Sequence, residues 1–314
     1  MSRPNHGQAA PSAGPLASKP ASAAPADGRS YRIWVLSNLQ VDVEPFELPR
    51  PLPEFDALVV AGGVASGLGR AVRWLAEALD GRQGDRPVAL VPGVHEFSDA
   101  VPVPQALDEA SSLGRRLGIA VLHDDAVRLG AGDEPGLHIA GATLWPGFEL
   151  AGPDKVVQAR GHARHRWRAL RRIRSAPGTP FQPHDAAGAH GRSRAFLADA
   201  LACVAVGGNG FGAPDGTAVL KGVRAGDRAV VATAFPPSRA CLTREAAEPL
   251  RDHWAAAWQG SALDEMFERW SAPPAWIFGG GTCAWDMRLG RTRLVANPRS
   301  PPTAGFDPGR VVVV

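Results

Sequence analysis

The chain has 314 residues, 45% of them hydrophobic and 21% charged, with a formal net charge of +3. This is ordinary globular usage with enough apolar residue for a sizeable core, which excludes a wholly disordered chain, a collagen-like fibre and a small disulfide scaffold. No apolar run approaches the ~18 residues of a transmembrane helix, and so small a net charge does not by itself argue for nucleic acid.

Residues 1–30 are dominated by Ala, Pro, Ser and Gly. Such a segment cannot bury enough surface to offset its ordering entropy, so a disordered tail is expected. It lacks the apolar stretch of a secretory signal and the hydrophobic face of a transit peptide. From Tyr31 the pattern changes. Arg32 to Leu36 is a short apolar run that ends in Ser37-Asn38, and Asp56 to Ala61 repeats it before Gly62-Gly63. Val72, Leu75 and Leu79 lie at helical spacing. Val88 to Val91 with Pro92-Gly93 is a third strand signal, Leu107 to Leu117 a helix, and Ala120 to Leu122 and Leu137 to Ala140 further strands. Strands alternating with helices predict βαβ units and a largely parallel sheet.

The middle is basic. Seven arginines fall between Arg160 and Arg174, with Trp167, Leu170 and Ile173 at helical spacing, which predicts an amphipathic helix with its arginines in water, in preference to a phosphate- or nucleic-acid-binding segment with Trp167 stacked on a base. Ser193 to Val204 reads as another amphipathic helix. Gly207 to Gly212 lacks the Walker lysine and the G-x-G-x-x-G spacing, so a flexible surface loop is expected. Strand signals return at Arg228 to Thr233, Ala275 to Phe278, Arg293 to Ala296 and Val311 to Val314. Cys203, Cys241 and Cys283 form no CxxC pair and no disulfide framework, which suits a reducing compartment and predicts a cytoplasmic protein.

Functional loops of such folds lie beyond the carboxyl ends of the strands. Here they read Ser37-Asn38-Leu39-Gln40, Gly62-Gly63, Gly93-Val94-His95-Glu96, Thr233-Ala234-Phe235 and Gly279-Gly280-Gly281-Thr282. In that order they resemble the strand-end signatures SDLH, GD, GNHE, THH and GHTH of the calcineurin-like metallophosphoesterase superfamily. Gly141-Ala142-Thr143-Leu144-Trp145 and the ending from Asp286 to Arg299 extend the likeness, which covers about residues 31–314. It implies an α/β, calcineurin-like phosphoesterase fold: one domain with a central β-sandwich of mixed sheets flanked by helices.

Members of that superfamily hold two divalent metal ions through seven side chains. Carried over one at a time, those positions are Asn38, Gln40, Gly63, Val94, Ala234, Gly280 and Thr282, and none keeps the family residue. Only the family's general acid has a counterpart, in His95. Four of the seven offer no side-chain donor and three offer only neutral oxygens, which bind such cations weakly without a carboxylate. The expectation is therefore no metal cofactor and a catalytically inactive pseudo-phosphoesterase that binds a protein partner or a phosphate-like anion, rather than nucleic acid or a membrane. The alternative is a phosphoric ester hydrolase with residual or altered activity through His95. Two lesser candidates are a displaced metal site from His162, His165, His184 and His190, and a Cys283 nucleophile near His95.

Overall fold

A computed structural model describes residues 29–210, 219–242, 254–299 and 305–314. The tail expectation falls on residues of which 1–28 lie outside this set.

The first half builds a five-stranded sheet. β1 (Arg32–Leu36), β2 (Ala57–Ala61), β3 (Val88–Val91) and β4 (Ile119–Val121) run parallel in that order. β2 and β3 are wholly buried and β1 nearly so. A strand covered on both faces has no polar side to write, which explains their unbroken apolar runs. The crossover helices α1 (Leu68–Leu79) and α2 (Val103–Leu117) pack on each other. Each ends in a left-handed residue whose N–H caps the last turn, at Asp80 and Gly118.

The second half builds a six-stranded sheet. β5 (Asp125–Leu129) and β6 (Leu137–Ala142) form a hairpin. β6 then pairs parallel with β9 (Arg228–Thr233), β9 with β10 (Ala275–Phe278), and β10 with β12 (Thr292–Ala296). β11 (Trp285–Leu289) adds an antiparallel edge, and β13 (Val311–Val313) returns as the antiparallel edge of the first sheet beside β1. Between these strands lie α3 (Val156–Arg166), the small hairpin β7 (Arg174–Ala176) and β8 (Thr179–Pro180), and the 26-residue α4 (Pro183–Gly208).

The two sheets face each other. Alternate residues Val230, Ala232, Ile277 and Val295 of the second sheet join the core around β1 to β3. Their neighbours Val231, Trp276, Phe278 and Leu294 face outward and bury Leu197, Leu201 and Val204 of α4. The period of two along each strand thus serves two apolar layers at once. This is the expected sandwich of mixed sheets flanked by helices, two sheets rather than one, with every interior pair parallel and antiparallel strands only at edges.

Two local expectations are corrected. The basic stretch is not one helix: α3 stops at Arg166, Trp167 leaves helical geometry, and residues 168–172 form a 3-10 turn. α3 buries only Ala159 and Ala163, too narrow a face to carry the helix further. Gly207 and Gly208 close α4 instead of starting a loop, while Phe211 and Gly212 lie outside the described residues. Among the described residues no helix is long and apolar enough to cross a membrane.

Candidate functional site

The loops after β1, β2, β3, β9 and β10 converge on one open cleft of about 440 Å³. Asn38, Gln40, Gly63, Val94, Ala234 and Gly280 line it together with His95. Thr282 does not. The chain turns at Gly280, with φ +74°, and Thr282 stands exposed with its hydroxyl beside the Cys283 thiol.

Backbone bonds hold the floor. The N–H groups of Asn38, Gln40 and Val41 donate to the carbonyls of Gly62, Gly63 and Val64, which carries the β1–β2 pairing past the strand ends. Asn38 and Gln40 take positive φ to do so. The Asn38 amide donates to the Gly281 carbonyl at 2.9 Å and ties the first loop to the last. Glu96 is fully buried and accepts three backbone N–H groups, from Gly63 at 3.0 Å, Val64 at 2.5 Å and Gly93 at 2.8 Å. Its carboxylate therefore clamps the second and third loops together, a role the chain order does not reveal.

The His95 side chain has one hydrogen-bond partner among the described residues. Its Nε2 lies 2.8 Å from Asp42 Oδ1. Burial alone would raise the Asp42 carboxyl, but the bonds from His95 and from the Ser66 N–H hold it below its ordinary value. The loop that carries Asp42 is strapped from behind by Arg299. That guanidinium donates to the carbonyls of Leu39, Glu44 and Pro45 and stacks over the Phe46 ring. Nothing along the chain points to Asp42, because 53 positions separate it from His95.

The opposite wall is aromatic and cationic. Trp167, Phe235, Trp258 and Arg172 all line the cleft. Trp145 is fully buried behind them, with its ring 6.2 Å from Trp167 and 5.8 Å from Phe235. Trp167, expected on a buried helix face, is half-exposed in this wall. The side-chain amides of Gln40 and Gln259 face the cleft without a protein hydrogen bond among the described residues.

The lesser candidates do not assemble. His190 is buried with Nδ1 2.7 Å from the Trp145 carbonyl, and His162 is exposed and stacked on Trp254. His184 and His165 are exposed, and among the described residues no three His, Cys, Asp or Glu side chains come together to hold a metal ion. Cys283 is half-buried and lies outside the cleft lining, while His95 is already bonded to Asp42.

A pair of divalent ions needs several carboxylates and imidazoles aimed at one point. The cleft floor offers two neutral amides, Asn38 and Gln40, and its nearby carboxylates Asp42 and Glu96 are already hydrogen-bonded. Nor is there room at two of the positions. A Cβ on Gly63 would stand 2.7 Å from Asn38 Cα and 2.8 Å from Asn38 Oδ1. A Cβ on Gly280 would stand 2.8 Å from the Ala234 carbonyl oxygen. The residues present do not fit a dinuclear metal centre.

No family model and no curated protein matches the sequence. Among solved structures, the chain is similar to phosphopantetheinyl hydrolase from Mycobacterium tuberculosis, with a TM-score of 0.57 and 17% identity over 86% of this chain and 89% of that one. A Staphylococcus aureus protein described as a putative 5'-nucleotidase aligns with 86% of this chain and 49% of its own at 13% identity, and its TM-score of 0.41 carries no argument. The first likeness shows the fold: the chain has a mixed α/β, phosphoesterase-like fold.

Proposed function

We propose that this chain uses a phosphoesterase-like scaffold to bind an anionic ligand or a partner, and does not hydrolyse phosphate esters by two-metal chemistry. One observation carries the reading. Two of the positions where a metal-ligating side chain would stand, Gly63 and Gly280, are backbone-tight glycines over a floor of neutral amides. Retained carboxylates in such a pocket would repel one another and carry an uncompensated desolvation cost. The two that remain, on Asp42 and Glu96, are fully engaged in holding loops. Arg172 and the neutral amides leave the cleft attractive to an anion. The test is to saturate the protein with manganese, desalt it, measure bound metal by mass spectrometry and assay p-nitrophenyl phosphate. Near-zero metal and background turnover are expected. One or two ions per chain with manganese-dependent turnover would overturn the reading.

A second reading has its own support, the 2.8 Å contact of His95 with Asp42. An imidazole oriented by a carboxylate is the arrangement of a general acid or base. It makes the chain a hydrolase of altered, metal-independent activity, whose turnover falls on His95→Ala. Equal background rates for the two proteins dispose of it.

A further inference from the structure

We propose that the cleft and the arginine ridge beside it bind single-stranded nucleic acid, with phosphates on the ridge and a base against Trp167. The proposal names the ligand of the non-hydrolytic reading above and rests on its anion-binding half.

Three observations meet here. First, five arginines of the ridge have no carboxylate partner among the described residues. No acidic residue occurs from Val156 to His184. Arg164, Arg168, Arg171 and Arg172 are exposed and Arg160 is half-buried, and no carboxylate among the described residues pairs with any of the five. Elsewhere this chain does pair arginines: Arg128 with Asp227, Arg194 with Glu265 and Arg293 with Asp286. Second, the ridge is continuous along the chain with the cleft wall. Arg160 and Arg164 are one turn apart on α3, about 6 Å along its axis, and the chain then passes Trp167 and Arg172 in the cleft wall. Third, the wall offers ring surface to a base. Trp167 is braced edge-on by Phe235 at 6.2 Å, and Trp258 lines the same cleft.

The chemistry matches this ligand better than a compact anion. Guanidinium groups in a row neutralise successive phosphates, and half-exposed aromatic rings stack bases whatever their identity. A lone phosphate would use Arg172 and leave four arginines idle. Among the described residues no carboxylate lines the cleft, and the nearby ones on Asp42 and Glu96 are already hydrogen-bonded.

The test uses the full chain and a labelled oligo(dT) of about 15 nucleotides, within the site sizes of such grooves. Five phosphate contacts predict a log–log salt slope of about −3.5, so affinity falls roughly a hundredfold between about 50 and 200 mM salt. The variant Arg164→Gln/Arg168→Gln/Arg171→Gln removes three contacts from exposed positions, and its slope is expected near about −1.4. Trp167→Ala is expected to weaken binding about 5- to 150-fold at unchanged slope, and Trp167→Phe, which keeps a ring and the wall, to restore most of it. No binding at low salt, an unchanged slope in the arginine variant, or a mononucleotide bound as tightly as the strand would each overturn the proposal. The oligonucleotide is recovered on a gel from the same tube with manganese present. A bound but cleaved strand sinks the non-hydrolytic reading and leaves this one; an intact, unbound strand does the reverse.

Discussion

Gly63 is the position where the closed floor can be weighed. Its φ is +74°, and an added Cβ would lie 2.7 Å from Asn38 Cα, a backbone atom that cannot swing away. Gly81 has nearly the same φ, +71°, with nothing within 4 Å of its Cβ site. Gly81→Ala therefore isolates the left-handed penalty, about 1 kcal/mol. Gly63→Ala adds overpacking of about 1–3 kcal/mol, for a total of about 2–4 kcal/mol. At about 2 °C per kcal/mol for a domain of this size, its Tm falls by about 4–8 °C against about 2 °C for the control. Asn38→Gly on top of Gly63→Ala returns only part of the loss, because the clash with the backbone of residue 38 persists whatever its side chain. Calorimetry on the three variants decides it. A Gly63→Ala Tm no lower than that of Gly81→Ala would show that this position accepts a side chain, and would remove the steric obstacle to a metal-bridging aspartate.

Asp227, with no exposed side-chain surface, accepts from Arg128, His138 and two backbone N–H groups. Asp227→Ala strands a partly buried guanidinium and should cost about 3–5 kcal/mol in urea unfolding; a loss under about 1 kcal/mol would show the network to be dispensable. Burial holds the imidazoles of His123, His138 and His190 below their ordinary value. The unfolded chain then binds more protons as pH falls below about 6.5, so stability drops from neutral toward pH ~5. A Tm that stays flat over that range contradicts it. Cys241 is buried and its thiol is pushed up to about 12, whereas Cys203 and Cys283 are half-buried. Ellman's reagent at pH ~8 should titrate those two in the folded protein and Cys241 only after denaturation; a third fast thiol would refute the placement.

Much of the scaffold is legible along the chain. β1, β2, β3, β9 and β10 appear as short apolar runs because each is buried on both faces, and each ends in the loop that supplies the cleft. Six of the seven ligand positions singled out in those loops do line one cavity, with His95 beside them. The edge strands β5 and β11 are less visible: β5 is mostly half-exposed and β11 has no fully buried residue, so neither carries a continuous apolar signal. The basic segment misled for a related reason. Apolar spacing places Trp167, Leu170 and Ile173 on one helical stripe, yet only Leu170 and Ile173 are buried, and Trp167 went to the cleft.

Local pattern reports whether a residue meets apolar or aqueous surroundings, which is a property of its own strand or turn. It therefore determined the order of the strand-end loops, the loss of ionisable donors from seven of their positions and the basic run from Arg160 to Arg174. It is silent on which distant groups meet. The Asp42–His95 contact, the Glu96 clamp on two loops, the Arg299 strap across more than 250 positions and the placing of Trp167 beside Arg172 exist only once two sheets have closed on a common core. Those contacts decide what the cleft can hold, because hydrogen bonds and steric exclusion act over a few ångströms of space, whatever the distance along the chain.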